Sequence, residues 1–204
     1  MVKNVIFDLI NVLFECNYKK ILLKYYPSTK VDQIIDKFLH HKNWPMSDSG
    51  LIEESKFLEI ILSENSSFIA KEELSNILKV IRKEIRPIKE GFELLWIAKN
   101  CGYQTFLLSN LPFKTFEYIQ NNFNIFSLID GSIISCNVGL VKPNSEIFYY
   151  ALDYFQININ ETIFIDDNYN NTESAKSIGL KSYIFYPLPT HINQLKEILL
   201  NSKI

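Results

Sequence analysis

The sequence predicts an α/β protein built on a doubly wound parallel sheet, interrupted once by an all-helical insert. Three observations carry that expectation. Short β-type runs stand at residues 5–7, 105–108, 162–165 and 183–186, each too brief for a helix. None alternates apolar with polar residues, which is how strands covered on both faces read, and such strands belong to parallel sheets. Helical patterns separate the later runs, and strands alternating with helices build doubly wound folds.

Taken in chain order, the first run, 5–7, leads directly into Asp8. From Glu15 to Pro87 the strand rhythm stops and only helical periodicity remains, at 18–25, 31–38, 52–62 and 71–85. The loop 40–50, with His40, His41 and Trp44, is the least regular part of that stretch. Its histidines are read as exposed loop residues, with no assigned role. The alternation then resumes with helices expected at 88–99, 113–122, 144–155 and 171–178, the last stopped by Gly179. Residues 1–14 and 88–204 therefore read as a core, and 15–87 as its helical insert.

A chain of 204 residues is long enough for one core with a smaller insert. Its 47% hydrophobic and 22% charged residues are those of an ordinary globular protein, and its aromatic share of 14% is high. Lys plus Arg number 21 against 23 Asp plus Glu, a net charge of −2 without a basic run, which argues against nucleic acid or an anionic membrane as partner. Cys16, Cys101 and Cys136 are odd in number and lack a C-x-x-C spacing, so they read as buried thiols. No apolar stretch approaches the ~18 residues of a membrane span, and the N-terminus runs straight into a strand, so a cytoplasmic address is expected. Lys and Asn are plentiful but evenly spread, with no internal repeat.

In a doubly wound sheet, ligands sit beyond the carboxyl ends of the strands, so the residues directly after each strand carry the most information. These are Asp8, then Ser109 and Asn110, then the pair Asp166 and Asp167. Lys142 joins them from Gly139-Leu140-Val141-Lys142-Pro143, just before a helix that Pro143 can open. Singly, each has a plainer explanation. Asp8 could belong to a turn, Ser109 could cap the next helix, Lys142 could be a solvated lysine and Asn171 a helix-start residue. Adjacent acids after an apolar strand are harder to dismiss, because they repel each other unless a cation or donors compensate.

Together the set suits phosphoryl transfer. A hard cation such as Mg²⁺ takes one or two carboxylates together with phosphate and water, and Asp8 and Asp167 could supply them. The cation would offset repulsion between an anionic nucleophile and an anionic phosphate. Ser109 and the amides at the next helix start can hold phosphate oxygens, while Lys142 neutralises developing charge. Asp8 can then attack, forming an aspartyl phosphate that water cleaves.

On these motifs, Val5-Ile6-Phe7-Asp8-Leu9-Ile10-Asn11-Val12, Phe106-Leu107-Leu108-Ser109-Asn110, Gly139-Leu140-Val141-Lys142-Pro143 and Ile163-Phe164-Ile165-Asp166-Asp167-Asn168, the chain resembles the haloacid dehalogenase superfamily. Within it, the likeness is to the capped phosphatases related to glucose-1-phosphate phosphatase. The resemblance implies a Rossmann-like core, a helical cap over the substrate, and hydrolysis of small phosphate esters with Mg²⁺ as cofactor. By position it implies Asp8 as nucleophile and metal ligand, Ile10 as a ligand through its carbonyl, Asp167 as the direct acidic ligand and Asp166 as a nearby or water-mediated one. Ser109, Asn110 and Lys142 match substrate-binding positions, and Asn171 a supporting one.

One position departs from the pattern. Most phosphatases of this family carry Asp two residues after the nucleophile, as the acid that protonates the leaving oxygen, and here Ile10 stands there. A related branch carries Gly, so the loss of the acid does not by itself imply inactivity. Loss of a positioned acid typically costs ~10²–10⁴-fold, so slow turnover with a preference for good leaving groups is expected. Two other readings stay open. One is a non-catalytic protein that keeps the phosphate and Mg²⁺ cradle for regulation, favoured by Ile10. The other is a 2-haloacid dehalogenase, which needs no metal and would set Asp166 and Asp167 against a carboxylate substrate. A response-regulator receiver is excluded by motif order, since its acid pair lies early in the chain. Oligomeric state and the identity of the ester are not legible.

Overall fold

The structure, a computed structural model, describes residues 1–64 and 69–202. Strand β1 (Asn4–Phe7) is followed by a tight turn in which Leu13 N and Phe14 N both donate to Leu9 O, at 2.9 and 2.8 Å. Asn11 occupies the left-handed region there, at φ 61°, a conformation that asparagine tolerates better than most residues. The chain then leaves the sheet through β2 (Phe14–Glu15) and returns through β3 (Arg86–Pro87), which pair antiparallel as a two-stranded ribbon.

Among the described residues, the chain between these two short strands is helical: α1 (Tyr18–Leu22), α2 (Ser28–Ile34) continuing as a π-helical turn (Ile35–Leu39), α3 (Trp44–Asp48), α4 (Glu54–Glu64) and α5 (Lys71–Lys83). Helix α5 shows why. Leu74, Ile77, Leu78 and Ile81 fall on one buried face, Glu72 and Glu73 lie in its first turn, and Arg82 and Lys83 lie in its last, as the helix dipole favours. Much of the aromatic surplus packs here: Phe38 stacks on Phe57 at 5.8 Å, and Trp44 meets Phe57 edge-on at 5.5 Å.

After β3 the chain alternates: α6 (Lys89–Asn100), β4 (Gln104–Ser109), α7 (Phe113–Asn122), β5 (Gly131–Ile134), α8 (Ser135–Val138), α9 (Ser145–Tyr154), β6 (Thr162–Asp166), α10 (Tyr169–Ser177), β7 (Lys181–Ile184) and α11 (Pro189–Asn201). The five long-range strands form one parallel sheet in the order β5-β4-β1-β6-β7, with β1 central. Alternate side chains supply two cores: Val5, Phe7, Leu107 and Ile165 on one face, Ile6, Phe106, Leu108 and Phe164 on the other. The second face is covered by Ile147, Phe148 and Ala151 of α9 and Ala175 of α10. Helix α6 approaches the turn after β1 so closely that a Cβ on Gly91 would lie 1.8 Å from Val12 O. That contact presses the turn carrying Ile10 and Asn11 against the sheet edge.

The parallel sheet and its flanking helices agree with the expected fold class, and five details differ. Strand β5 was not foreseen, because Gly131 and Ser132 open it and it lies at an edge. The last strand spans 181–184 instead of 183–186, since the chain turns away before Pro187. The irregular loop 40–50 contains α3. Its His41 is not an exposed loop residue: the side chain is only 7% exposed, and Nε2 meets Glu64 Oε2 at 3.0 Å. The three cysteines are free thiols as expected, but only Cys16 is fully buried; Cys101 and Cys136 are partly exposed. No helix among the described residues is long and apolar enough to cross a membrane.

Candidate active site

Strands β4, β1 and β6 are neighbours whose carboxyl ends stop side by side, the edge at which open parallel sheets bind ligands. Asp8 follows β1, Ser109 closes β4 and Asp166 closes β6, while Lys142 reaches in from the loop before α9. All four are buried. Lys142 Nζ stands between the acids, 2.6 Å from Asp166 Oδ2 and 2.8 Å from Asp8 Oδ1, and donates to Leu108 O at 2.8 Å. Its contact with Asp8 is close but poorly aligned, and Asp8 Oδ1 has no hydrogen-bond partner of good geometry.

The other two acids differ in how they are held. Asp166 is saturated: besides Lys142, it accepts Asn171 Nδ2 on both oxygens at 3.0 Å and Asn168 N at 2.8 Å. Asp167 is half-buried, takes a hydrogen bond from Asn11, and faces a cleft of about 560 Å³. One carboxylate oxygen from each of Asp8, Asp166 and Asp167 lies within 4.8 Å of the others. Burial, reinforced by Asp166 and Asp167 and opposed by Lys142, pushes Asp8 up to about 7. Burial and Asp166 push Asp167 up to about 6, against Asn11 and Lys142. Burial works to lower the Lys142 pKa, but Asp166 and Asp8 outweigh it and raise it.

The cluster thus holds more negative charge than one ammonium offsets. Three carboxylates converging on one point fit a hard divalent cation. Beside them, Ser109 Oγ is buried without a hydrogen-bond partner, a state that costs about 1–3 kcal/mol unless another group engages it. Asn110 clasps the main chain of Lys142 at two points, Nδ2 to Lys142 O at 2.8 Å and Lys142 N to Oδ1 at 2.9 Å. Its side chain is thereby committed to placing the lysine.

A family model of haloacid dehalogenase-like hydrolases matches residues 2–179. The chain belongs to that family. This haloacid dehalogenase-like hydrolase is 26% identical over 202 residues to drimenol cyclase drtB of Aspergillus calidoustus, a match that covers 97% of the chain and 37% of drtB. It is 28% identical over 96 residues to sesquiterpene phosphatase astK of Aspergillus oryzae, covering 47% of the chain and 49% of astK. The chain thus spans half or less of the length of these curated relatives. In fold it is similar to a haloacid dehalogenase family enzyme of Bacteroides thetaiotaomicron, solved with magnesium and inorganic phosphate, with a TM-score of 0.71 at 21% identity over 92% of this chain and 96% of that one. A protein of Porphyromonas gingivalis described as a predicted HAD-like family hydrolase gives a TM-score of 0.73 at 22% identity over 98% of both chains.

Three residues at this hydrolase's site were not singled out from sequence. Asn11 holds Asp167 and, through Oδ1, the amide of Cys16 at 3.2 Å. Tyr18 of α1 lines the cavity beside Ile10 and Asp48, and burial, with Cys16, Asp48 and Asp167, raises its pKa. Asp48 of α3 lines a cavity of about 90 Å³ together with Ile10, Tyr18, Trp44, Asn110 and Leu111. Asn11 sat inside a quoted motif, but Tyr18 and Asp48 lie in the insert, where no pattern marked them.

Proposed function

We propose that the chain is a Mg²⁺-dependent phosphatase of small phosphorylated metabolites, acting through an aspartyl phosphate on Asp8. The observation that carries this reading is the convergence of the buried Asp8 carboxylate, the orphaned Ser109 hydroxyl and the buried ammonium of Lys142. Asp8, Asp166, Asp167 and the Ile10 carbonyl would hold Mg²⁺, which when bound screens the repulsion between the Asp8 carboxylate and the ester's phosphate. Ser109 donates to a phosphate oxygen, and Lys142, clasped by Asn110, balances the charge that develops on the phosphoryl group. Asp8 attacks phosphorus, and water later releases phosphate from it.

Residues 15–87 serve as the cap that closes over the ester and excludes water. Phe57, Leu78, Ile81 and Leu111 give the enclosed cavity an apolar wall, which suits an ester of an apolar alcohol. Support comes from relatives described as a sesquiterpene phosphatase and as a magnesium and phosphate complex. With Ile10 in place of an acid, the core itself offers no proton for the leaving oxygen, so turnover on esters of weakly acidic alcohols depends on a proton donor from outside the core. The test is p-nitrophenyl phosphate hydrolysis with Mg²⁺. Turnover abolished by Asp8→Asn and by a chelator is expected; phosphate binding without turnover would make the chain a non-catalytic binder.

A further inference from the structure

The insert carries a carboxylate to the cavity beside Ile10 and Asn110, at the edge of the acidic cluster. Asp48 ends α3, and its carbonyl accepts the hydroxyl of Ser135, which in turn accepts Leu111 N at 2.9 Å. Two residues on, Gly50 sits at φ 73°, and a Cβ there would lie 2.5 Å from Cys136 O. The C-terminal end of α3 is therefore fastened to the core at α8 and to the segment two residues beyond Ser109. The Asp48 side chain is half-buried, takes a hydrogen bond from Trp44, and shares the cavity with Ile10 and Asn110. Among the described residues it forms no ion pair, while the neighbouring Glu54 is fully engaged by Arg82 at 2.6 Å and Lys114 at 3.2 Å.

We propose that Asp48 is the general acid and base of this active site, supplied from the cap in place of the acid missing at position 10, a role that rests on the phosphatase reading. As an Asp8 oxygen bonds to phosphorus, the bond from phosphorus to the ester oxygen breaks. Its electron pair stays on that oxygen, which takes the Asp48 proton and leaves as alcohol. The Asp48 carboxylate then accepts a proton from the water that attacks the aspartyl phosphate. That step frees phosphate, restores the Asp8 carboxylate and reprotonates Asp48.

The environment suits both forms. Burial pushes Asp48 up to about 7, against the Trp44 hydrogen bond and the charge of Lys142. A group poised near neutrality can give and take a proton in one cycle. The other titratable groups facing it are Tyr18 from α1 and Cys136 from α8, with burial raising both, and the mutually neutralised Arg82 and Glu54.

A general acid matters most when the leaving group is poor. The experiment compares kcat/KM for p-nitrophenyl phosphate and for a simple alkyl phosphate, in the wild-type chain and in Asp48→Asn with Mg²⁺. The alkyl ester is expected to lose about 10²-fold or more, and the aryl-to-alkyl ratio to widen at least about tenfold. Because the ratio is taken within one preparation, a partly folded sample cannot move it. Trp44→Phe keeps the ring packing but removes the indole donor, and is expected to widen the ratio by a smaller factor. Ratios unmoved in both variants overturn the role of Asp48, while Asp8-dependent turnover by the wild type leaves the phosphatase reading standing. Absence of Asp8-dependent turnover on either ester overturns both.

Discussion

Lys142 offers the sharpest test of the electrostatics at the sheet edge. Its side chain is 1% exposed, and its ammonium stands 2.6 Å from Asp166 and 2.8 Å from Asp8. Lys142→Met keeps the stem and its packing but leaves two buried carboxylates without their cation. Breaking a buried pair in this way costs about 3–5 kcal/mol, because the uncompensated charge remains inside. For a chain of this size, that is a fall in Tm of about 6–20 °C. The cost also depends on pH. Asp8, already pushed up to about 7 by burial and its acidic neighbours, rises further once Lys142 is gone. A carboxyl whose folded pKa exceeds its unfolded value of about 3.9 contributes stability that is complete below 3.9 and lost as pH rises through the folded value. The variant's deficit should therefore be smaller at pH 5 than at pH 8. Urea denaturation of both chains at the two pH values, with a chelator present, reads it directly. A deficit under about 1 kcal/mol, or one larger at pH 5, would show that the lysine does not neutralise this cluster.

Two further outcomes follow from the same cluster. Asn171→Ala removes the Nδ2 donor that reaches both Asp166 oxygens at 3.0 Å, and hydrogen bonds to a charged group are worth about 1.5–3 kcal/mol, so thermal melts should show a loss in that range. Mg²⁺ at about a hundred times its Kd should stabilise the wild-type chain by about 2.7 kcal/mol, and Asp167→Asn should abolish most of that gain in the same melts.

The fold was legible where burial is symmetrical. Residues 5–7, 105–108 and 162–165 are covered on both faces, and their unbroken apolar runs announce this. Strand β5 hid because an edge strand opening on Gly131 and Ser132 lacks that run. Asp8, Ser109, Asn110, Asp166 and Asp167 were legible for a related reason: each lies at or one position beyond the end of a strand, so strand recognition and site recognition are nearly one step. Their division of labour was less visible. Asn110 could be placed at the edge from its position, but its clasp on Lys142 needs a loop 32 residues away to close over it.

Asp48 marks where sequence reasoning stops. Nothing distinguishes it locally from a solvated acid in a polar loop, and its neighbours Ser47 and Ser49 suggest a turn. Its character comes from contacts remote in the chain: Ser135 and Cys136 fasten α3, Trp44 supplies the donor, and Lys142 supplies the field. Such a group is poised only while the insert sits on the core, because opening the cavity would hydrate the carboxyl and return it toward an ordinary acid. An acid fixed to the core is present in every state of the molecule. One mounted on the insert is competent only when the ester is enclosed, so leaving-group protonation becomes tied to exclusion of water. On that view Ile10 does more than lack a carboxyl. It adds apolar surface to the wall Asp48 shares, and so keeps dry the space in which the remote carboxyl holds its proton.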